Sequence, residues 1–284
     1  MANKCAILIS HKNQAEYIRY ILSALTVQEP FGIGDTPVLI CDDNSTNEEY
    51  SLLIEHAIEF SKQIDVYVIK SPKSRQECWG KGRVLNCGVR HVGVLDKTID
   101  TLLFLDGDCV PSRSWYQNYA DAFVTVGDIK GKKFVVFDPS IPGLRSVEYK
   151  VSAEHADYNG LILVGPRFFI PEELLPQAYN LINKHKIGDL YVLTRGTVLW
   201  CTKSCYGVGY ARMQGCNFAV RKSDFDAING FREGPEGGGS LDDSYLYYDL
   251  IQRQKCVPVS SMNTAVFHFG DKKYYEWGVE GINP

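Results

Sequence analysis

The stretch TLLFLDGDCVPSRSW, residues 101–115, begins like a buried strand and then turns abruptly polar. Its first five residues include four apolar ones, and they lead directly into Asp106, Gly107 and Asp108. Two carboxylates this close repel each other unless a cation lies between them. Gly107 permits the sharp turn and close backbone approach that a cation site needs. The same carboxylates would also suit the cap of a helix starting near Ser112, so the motif alone leaves a metal site and a helix cap open.

Working outward, the first half of the chain alternates between two kinds of pattern. Near-continuous apolar runs predict buried strands at 5–10, 38–41, 66–69, 101–105 and 134–137. Amphipathic patterns predict helices at 15–25, 47–62 and 82–95, the second opening with a capping box in residues 45–48. Alternating strands and helices predict an open, mostly parallel α/β sheet flanked by helices.

Polar residues collect where the predicted strands end, at 10–13, 42–45, 70–73 and 106–108. Ligands of such sheets bind at the carboxyl ends of the strands. Hard cations such as Mg²⁺ and Mn²⁺ prefer oxygen ligands and are completed by substrate phosphate oxygens. This edge of the sheet is therefore the predicted site.

Composition limits the class of protein and of partner. The 284 residues are 45% hydrophobic, with a net charge of -4 and no basic stripe, so a nucleic-acid partner is not expected. No secretory leader or membrane-spanning run is evident, and the nine cysteines follow no repeated zinc spacing. We expect a cytoplasmic protein with peripheral membrane association left open, and we interpret Cys201 and Cys205 as ordinary thiols.

Seven segments in order resemble the GT-A glycosyltransferases of family 2. They are ILISHKNQAEYIRYILSAL, VLICDDNSTNEEY, GKGRVLNCGV, FLDGDCVP, ARMQGCNFAVRKSDFDAINGF, LDDSYLYYDLIQR and TAVFHFGD. The resemblance implies one Rossmann-like GT-A domain, with a nucleotide-binding half at 1–139 and an acceptor half at 214–284. Residues 140–213 have no counterpart in it, and their irregular sequence, rich in proline, aromatic residues and glycine, predicts an elaboration packed on the sheet. It implies an inverting, metal-assisted enzyme that moves a sugar from a nucleotide diphosphate sugar, a UDP-sugar being favoured. The implied cofactor is Mn²⁺ or Mg²⁺, and the acceptor is a glycan, a lipid-linked glycan or a small molecule.

The resemblance also assigns roles to individual positions. For the donor nucleotide it implies Ser10, Asn13, Asp42, Asp43, Lys81, Arg83 and Asp106. For the donor sugar and acceptor it implies Cys216, Asn217 and Gly239, and for the metal Asp106, Asp108 and His268. Asp243 is the implied base that takes the acceptor proton, with Asp242 holding the acceptor or a loop.

Two segments depart from the family pattern. The first strand ends in Ser-His-Lys-Asn instead of Pro-Thr-Tyr-Asn, which leaves the role of His11 open. Val84-Leu85-Asn86 stands in place of Ala-Arg-Asn, which puts the assignments of Lys81 and Arg83 in question.

Structural alternatives remain for several of these residues. Asp242 and Asp243 would also suit a helix N-terminus, where the macrodipole favours negative charge. His268 follows an apolar run, where a histidine is as often structural as metal-binding. Gly234 and the glycines at 237–239 predict a mobile loop, and Arg167, Arg195 and Trp200 fit either a sugar site or the core.

Other functions are compatible with a similar sheet. A nucleotidyltransferase acting on a sugar phosphate should show a glycine-rich basic signature after the first strand, and ISHKNQAEY has none. A dinucleotide oxidoreductase should show G-x-G-x-x-G there. A non-catalytic nucleotide-sugar-binding module would keep the fold and dispense with the base at Asp243.

Overall fold

The strands and helices follow the predicted alternation through the first half of the chain. The computed structural model describes residues 4–28, 34, 36–72, 80–125, 133–137, 146–150, 160–194, 198–199, 215–233, 242–260 and 264–270. The strands are β1 (Cys5–His11), β2 (Val38–Asp42), β3 (Val66–Lys70), β4 (Thr101–Asp106), β5 (Cys109–Pro111), β6 (Lys133–Phe137), β7 (Ser146–Lys150), β8 (Gly160–Val164), β9 (Arg167–Ile170), β10 (Val198–Leu199), β11 (Asn217–Arg221), β12 (Cys256–Ser260) and β13 (Val266–Phe269). The helices are α1 (Ala15–Leu25), α2 (Asn47–Phe60), α3 (Lys81–Leu95), α4 (Trp115–Thr125), α5 (Leu175–Asn183), α6 (Leu190–Leu193), α7 (Lys222–Ala227) and α8 (Asp242–Tyr248), and α8 continues into a π-helical turn at Asp249–Arg253.

The central sheet has seven strands in the order β12-β8-β11-β4-β1-β2-β3. Strand β1 runs parallel to β2 and β4, and β2 runs parallel to β3. Strand β11 is antiparallel to both β4 and β8, so β8 and its parallel neighbour β12 run in the same direction as β4. The sheet is therefore mixed but mostly parallel, as the alternation predicts.

Apolar runs form these strands because both faces of the sheet are covered. Every residue of β1 and β2 is buried, as are the first five residues of β4. Helix α1 buries Ile18, Ile21, Leu22 and Leu25, which recur at helical spacing. Helix α3 packs against β1 and β2, where the small residue Gly88 lies against Cys41 and Leu8.

The start of α2 differs in detail from the predicted capping box. Thr46 is the N-cap, and its hydroxyl accepts a hydrogen bond from the Glu49 amide at 3.3 Å. The Glu49 carboxylate accepts from the Ala15 amide at 2.8 Å, so it joins α1 to α2 where a capping box would return it to the cap residue. Neither Asp43 nor Ser45 caps this helix.

The segment 140–213 contributes to the sheet itself, which its irregular sequence did not predict. Strand β8, GLILV, lies inside the central sheet between β11 and β12. Strand β9 joins β10, β13 and β5 in a second, four-stranded sheet. The elaboration therefore supplies core structure in addition to packing on it.

The predicted strand at 134–137 exists but lies elsewhere. Strand β6 pairs antiparallel with β7 in a two-stranded sheet and takes no place in the central one. Its apolar residues indicated a strand correctly, but they carried no information about which strand would pair with it.

The helix-cap interpretation of the DGD motif is wrong. A short strand, β5, follows Asp108 immediately, and the next helix begins only at Trp115. The two aspartates therefore flank a tight turn between strands. None of the described helices is long and apolar enough to cross a membrane.

Candidate functional site

The DGD turn lies at the carboxyl edge of the central sheet, between β4 and β5. Ser10 and Asp106 stand opposite each other in the β1–β4 register, and the Ser10 hydroxyl donates to Asp106 Oδ1 at 3.0 Å. A Cβ at Gly107 would lie 2.6 Å from the Ser10 carbonyl oxygen, so only glycine allows the turn to pass this close to β1. The sequence around residue 107 thus fixes the turn and the Asp106 carboxylate against the end of the first strand.

Asp108 faces His268 across the second sheet. His268 Nε2 lies 3.3 Å from Asp108 Oδ2, and the Phe269 amide donates to the Asp108 carbonyl at 2.9 Å. Burial opposes ionisation of Asp108, but the charge and hydrogen bond of His268 outweigh it and lower the pKa of the carboxyl. The structure brings together two of the three predicted metal ligands, Asp108 and His268.

Lys81, the first residue of α3, joins the two acidic motifs of the site. Its buried Nζ lies 2.6 Å from Asp106 Oδ1 and 3.4 Å from Asp243 Oδ1, and it donates to the Gly215 carbonyl at 3.2 Å. Burial by itself would lower the pKa of Lys81, but Asp106 and Asp243 outweigh that effect and raise it, so the ammonium stays charged. Burial raises the pKa of Asp106 to about 6, although Lys81 opposes this shift.

The predicted acceptor-side pair sits at the start of α8, held by backbone amides. The Gly82 amide donates to Asp242 Oδ2 at 2.9 Å, and the Gly215 amide donates to Asp243 Oδ2 at 2.8 Å. Asp242 Oδ1 is buried with no hydrogen-bond partner among the described residues. Burial raises the pKa of Asp242 to about 6. Asp243 is the more exposed of the two carboxylates and points its second oxygen at Lys81.

Asp42, at the end of β2, is completely buried beneath the site. His11 Nδ1 lies 3.0 Å from Asp42 Oδ1, and the Ser45 hydroxyl donates to the same oxygen at 2.5 Å. Because His11 Nε2 accepts from the Gln14 amide, Nδ1 is the nitrogen that donates to Asp42. Burial opposes ionisation of Asp42, but the hydrogen bonds from His11 and Ser45 lower its pKa. His11, the residue that departs from the family pattern, thus supports Asp42 and lies away from the surface.

Asp43 follows β2 directly, is buried and pairs with the partly exposed Arg83. Its Oδ1 contacts the Arg83 guanidinium, and its Oδ2 accepts from the Gly80 amide at 3.1 Å. Lys12 lies 3.4 Å from the same carboxylate. The Asn13 amide oxygen accepts from the Thr46 amide at 2.9 Å. These groups join the ends of β1 and β2 to the start of α3.

The remaining predicted residues lie beside or behind the site, or outside the described residues. The Cys216 carbonyl accepts from the Asp106 amide at 3.1 Å. Asn217 is fully buried, and its side chain bonds Trp115 Nε1 at 2.8 Å and the Thr264 carbonyl at 2.7 Å. Asn217 therefore anchors β11 to the core. Gly239, Arg195, Trp200, Cys201, Cys205 and the predicted glycine loop at 234–239 lie outside the described residues.

Sequence interpretation assigned no role to Cys109 and left Arg167 open between a sugar site and the core. Cys109 follows the DGD motif and lies beside Asp108, with its Sγ 3.5 Å from Asp108 Oδ1. Arg167 is buried over the Phe169 ring, and its positive charge helps to lower the pKa of Asp108. The sequence signal for Cys109 was its position directly after the DGD motif, and no role was predicted for it.

The donor atoms at Asp108 suit a divalent cation. A carboxylate oxygen of Asp108, the Sγ of Cys109 and a ring nitrogen of His268 all lie within 4.8 Å of one another. Asp106 is not part of this group and is turned toward Ser10 and Lys81. Oxygen, nitrogen and sulfur donors at this spacing match the ligands of transition-metal and zinc sites.

The comparisons with known proteins bear on the fold of the chain. Residues 6–142 match the family model described as glycosyl transferase family 2. No curated protein matches the chain in sequence.

Solved structures extend the likeness to nearly the whole chain. Mannosyltransferase PcManGT from Pyrobaculum calidifontis, in complex with GDP-Man and Mn²⁺, is similar with a TM-score of 0.53 and 14% identity, covering 98% of this chain and 60% of that one. S. aureus TarS 1-349 in complex with UDP is similar with a TM-score of 0.57 and 13% identity, covering 97% of this chain and 63% of that one. The chain thus spans less than two thirds of either protein, and identities this low bear on the fold alone. Residues 6–142 thus resemble glycosyl transferase family 2, and nearly the whole chain has the GT-A fold of these glycosyltransferases.

Proposed function

We propose that the chain is a metal-assisted hexosyltransferase that moves a sugar from a UDP-sugar to an acceptor hydroxyl with inversion. One observation carries the proposal. Lys81 holds a carboxylate of the DGD turn and the carboxylate of Asp243 on the same ammonium, 2.6 and 3.4 Å away. A donor-side motif and an acceptor-side motif therefore meet at the carboxyl edge of the sheet, where such folds bind their ligands.

The donor nucleotide is assigned to the ends of β1 and β2. Asp43 is assigned to the nucleobase, and because its buried oxygens contact Arg83, the Gly80 amide and Lys12, a base N–H would reach the carboxylate by replacing one of these contacts. The Ser10 hydroxyl donates to the Asp106 carboxylate, and the Asn13 amide oxygen accepts from the Thr46 backbone amide. Asp42 supports this region from below through His11 and Ser45. The preference for uracil is part of the proposal, and the titration described below tests it.

The diphosphate is assigned to the DGD turn. Asp108 and His268 would hold the metal, which neutralises charge that develops on the leaving diphosphate. Lys81 adds a fixed positive charge beside Asp106, in a buried setting where that charge is weakly screened. Mn²⁺ and Mg²⁺ are the cations that the family resemblance suggests.

Asp243 is assigned as the base. Its carboxylate is held by the Gly215 amide and by Lys81, so its orientation is fixed before any substrate arrives. It takes the proton of the acceptor hydroxyl as that oxygen attacks the anomeric carbon. A base that serves the attacking hydroxyl directly fits a single displacement, which inverts the anomeric configuration.

Calorimetric titration with UDP, GDP and dTDP, each with and without Mn²⁺, tests the donor half of this proposal. We expect UDP to bind most tightly and only in the presence of the metal. A panel of UDP-sugars assayed for UDP release then tests turnover, with water as the default acceptor.

Two variants sharpen the experiment. Asp108→Asn should abolish the metal-dependent part of UDP binding, because it removes the carboxylate beside His268. Asp189→Asn, an exposed aspartate far along the chain from the DGD turn, should leave it unchanged. If no nucleotide binds in a metal-dependent way, the proposed function is wrong.

A further inference from the structure

Cys109 is placed by its strand to share the face of His268. Strand β5 pairs antiparallel with β13, and Cys109 stands directly opposite His268 in that register. Directly opposed residues in an antiparallel pair project their side chains from the same face of the sheet. Asp108 precedes Cys109 and is tied to β13 through the Phe269 amide. Two hydrogen-bonded strands therefore hold the three side chains in place.

Two of the three spacings between the donor residues are those of a coordination sphere, and the three donor atoms lie within 4.8 Å of one another. Cys109 Sγ lies 3.5 Å from Asp108 Oδ1, and His268 Nε2 lies 3.3 Å from Asp108 Oδ2. Ligand atoms at bond lengths of about 2.0–2.3 Å around a tetrahedral cation are separated by roughly 3.3–3.8 Å. Little rearrangement is needed for a cation to be bound by all three residues.

We propose that Cys109 is a third protein ligand of the metal site at Asp108 and His268, and that the site therefore selects Zn²⁺ or Co²⁺ over Mg²⁺. The inference rests on the proposed function, because it names the metal of the same site. Mg²⁺ takes oxygen ligands almost exclusively, whereas a thiolate and an imidazole suit borderline cations. Three protein ligands also leave a fourth position open, as catalytic zinc sites do, for a diphosphate oxygen.

Binding exchanges a proton for the metal without any change of oxidation state. The Cys109 S–H bond breaks, the Sγ–metal bond forms, and the proton leaves to solvent. No oxidant or reductant is needed.

The plain alternative is a buried thiol that only packs and hydrogen-bonds to Asp108 and Cys216. Other described free cysteines, such as Cys5, Cys41 and Cys256, are equally buried. Cys109 differs from them because, within the part of the chain that the structure describes, it alone belongs to a group of three metal-ligating side chains.

Absorption spectroscopy of the metal-free full-length chain titrated with Co²⁺ tests the proposal without any knowledge of the substrate. We expect a thiolate-to-cobalt charge-transfer band in the near ultraviolet, release of one proton per cobalt, and displacement by Zn²⁺ but not by excess Mg²⁺. Cobalt that binds to the wild-type chain without this band overturns the inference, and no variant is needed for that conclusion.

Variants identify the sulfur. Cys109→Ser should remove the band and weaken Co²⁺ by about 100-fold or more, since even partners outside the first coordination sphere are worth about 10- to 100-fold. Cys256→Ser, a matched buried thiol, and Cys216→Ser, beside the site, should keep the band. Loss of the band in Cys216→Ser but not in Cys109→Ser would assign the ligand to the wrong residue and overturn the inference.

The outcomes separate this inference from the proposed function. Cobalt binding without the band, together with metal-dependent UDP binding, leaves the function standing and removes Cys109. The band without any nucleotide binding keeps the inference and removes the function. A chain that binds no cation at all contradicts both.

Discussion

Asp243 is the residue on which the proposed chemistry depends most directly. Replacing it with asparagine keeps the shape and the Gly215 contact but removes the proton acceptor, so we expect UDP release from a UDP-sugar to slow by about 10²–10⁴-fold. Metal-dependent UDP affinity should stay near that of the wild type, because Asp243 serves the acceptor side. Steady-state rates with parallel calorimetry measure both quantities, with Asp189→Asn as the control. An unchanged rate would remove the base assignment from Asp243.

Burial of Asp242 should make the stability of the folded chain depend on pH. Its pKa is raised by burial to about 6 from 3.8. The folded chain therefore holds this proton more tightly than the unfolded chain, and its free energy of unfolding falls as the pH rises from about 4 to about 6. Asp242→Asn removes this loss. When the pH is raised from 4.5 to 7.5, its free energy of unfolding should therefore rise by about 1 to 2 kcal/mol relative to that of the wild type.

Urea unfolding at the two pH values, with Asp189→Asn measured alongside, isolates the contribution of Asp242. Other carboxyls such as Asp249, whose pKa is lowered by Arg232, change the absolute profile in the opposite sense. The comparison between variant and wild type cancels them. Equal pH dependence of the two proteins would show that Asp242 is not destabilised by its burial.

The first turn of α3 supplies the cation that two carboxylates of the site share. Lys81→Met leaves Asp106 and Asp243 without their shared cation, so the two carboxylates repel a bound diphosphate and each other. We expect both UDP affinity and UDP release to fall. Lys184→Met, an exposed lysine at the end of α5, provides the control. Wild-type binding and turnover in Lys81→Met would show that the bridge has no role in function.

The packing of α3 on the sheet gives a matched pair of glycine substitutions. A Cβ at Gly88 would lie 2.4 Å from Cys41 Sγ and 2.9 Å from Leu8 Cδ2, so Gly88→Ala should destabilise the chain by about 1–3 kcal/mol. A Cβ at Gly93 meets nothing within 4 Å, so Gly93→Ala should stabilise by about 0.5–1 kcal/mol through the helix propensity of alanine. Chemical denaturation measures both. Equal effects at the two positions would contradict the close packing of α3.

Local patterns predicted elements well and their neighbours poorly. The first four strands were located to within a residue or two. In β1, β2 and β4, burial on both faces demands continuous apolar runs, whereas β3 is an edge strand whose residues are only partly buried or exposed, so its prediction as a buried strand was wrong. The run FVVF was equally apolar yet pairs with β7, whereas GLILV joined the central sheet without having been singled out. Strand pairing depends on contacts distant in sequence, which periodicity does not encode.

The candidate site shows the same limit at the scale of the whole molecule. Motif order indicated Asp106, Asp108, Asp243 and His268, and the structure brings them to one edge. Motif order could not indicate that Lys81 bridges Asp106 and Asp243, because residue 81 is 25 positions from the first and 162 from the second. Nor could motif order indicate that the Asn217 side chain is buried in the core, where it accepts a hydrogen bond from Trp115. Such roles follow from register and helix placement, which appear only in three dimensions.

Whether the chain is one folding unit depends on how its two halves share a core. The family match ends at residue 142, which makes residues 1–139 the natural candidate for an independent domain. Yet β4 is hydrogen-bonded to β11 over five register pairs, and Phe104 stacks on Phe218 with ring centroids 4.5 Å apart. Asn86 of α3 also donates to the Phe231 carbonyl at 2.8 Å. The core of the first half is therefore completed by the second.

Expressed alone, residues 1–139 would expose the hydrogen-bonding edge of β4 and the apolar faces that β11 and Phe231 cover. We expect this fragment to lack a cooperative urea transition by circular dichroism and to bind no UDP, whereas the full-length chain unfolds in one step. Adding residues 214–284 as a separate peptide would supply β11 but not β8, so it should restore little structure. A fragment 1–139 that unfolds cooperatively would establish two domains and contradict the expectation of a single one, because no strand of the second half would then be needed to complete its core.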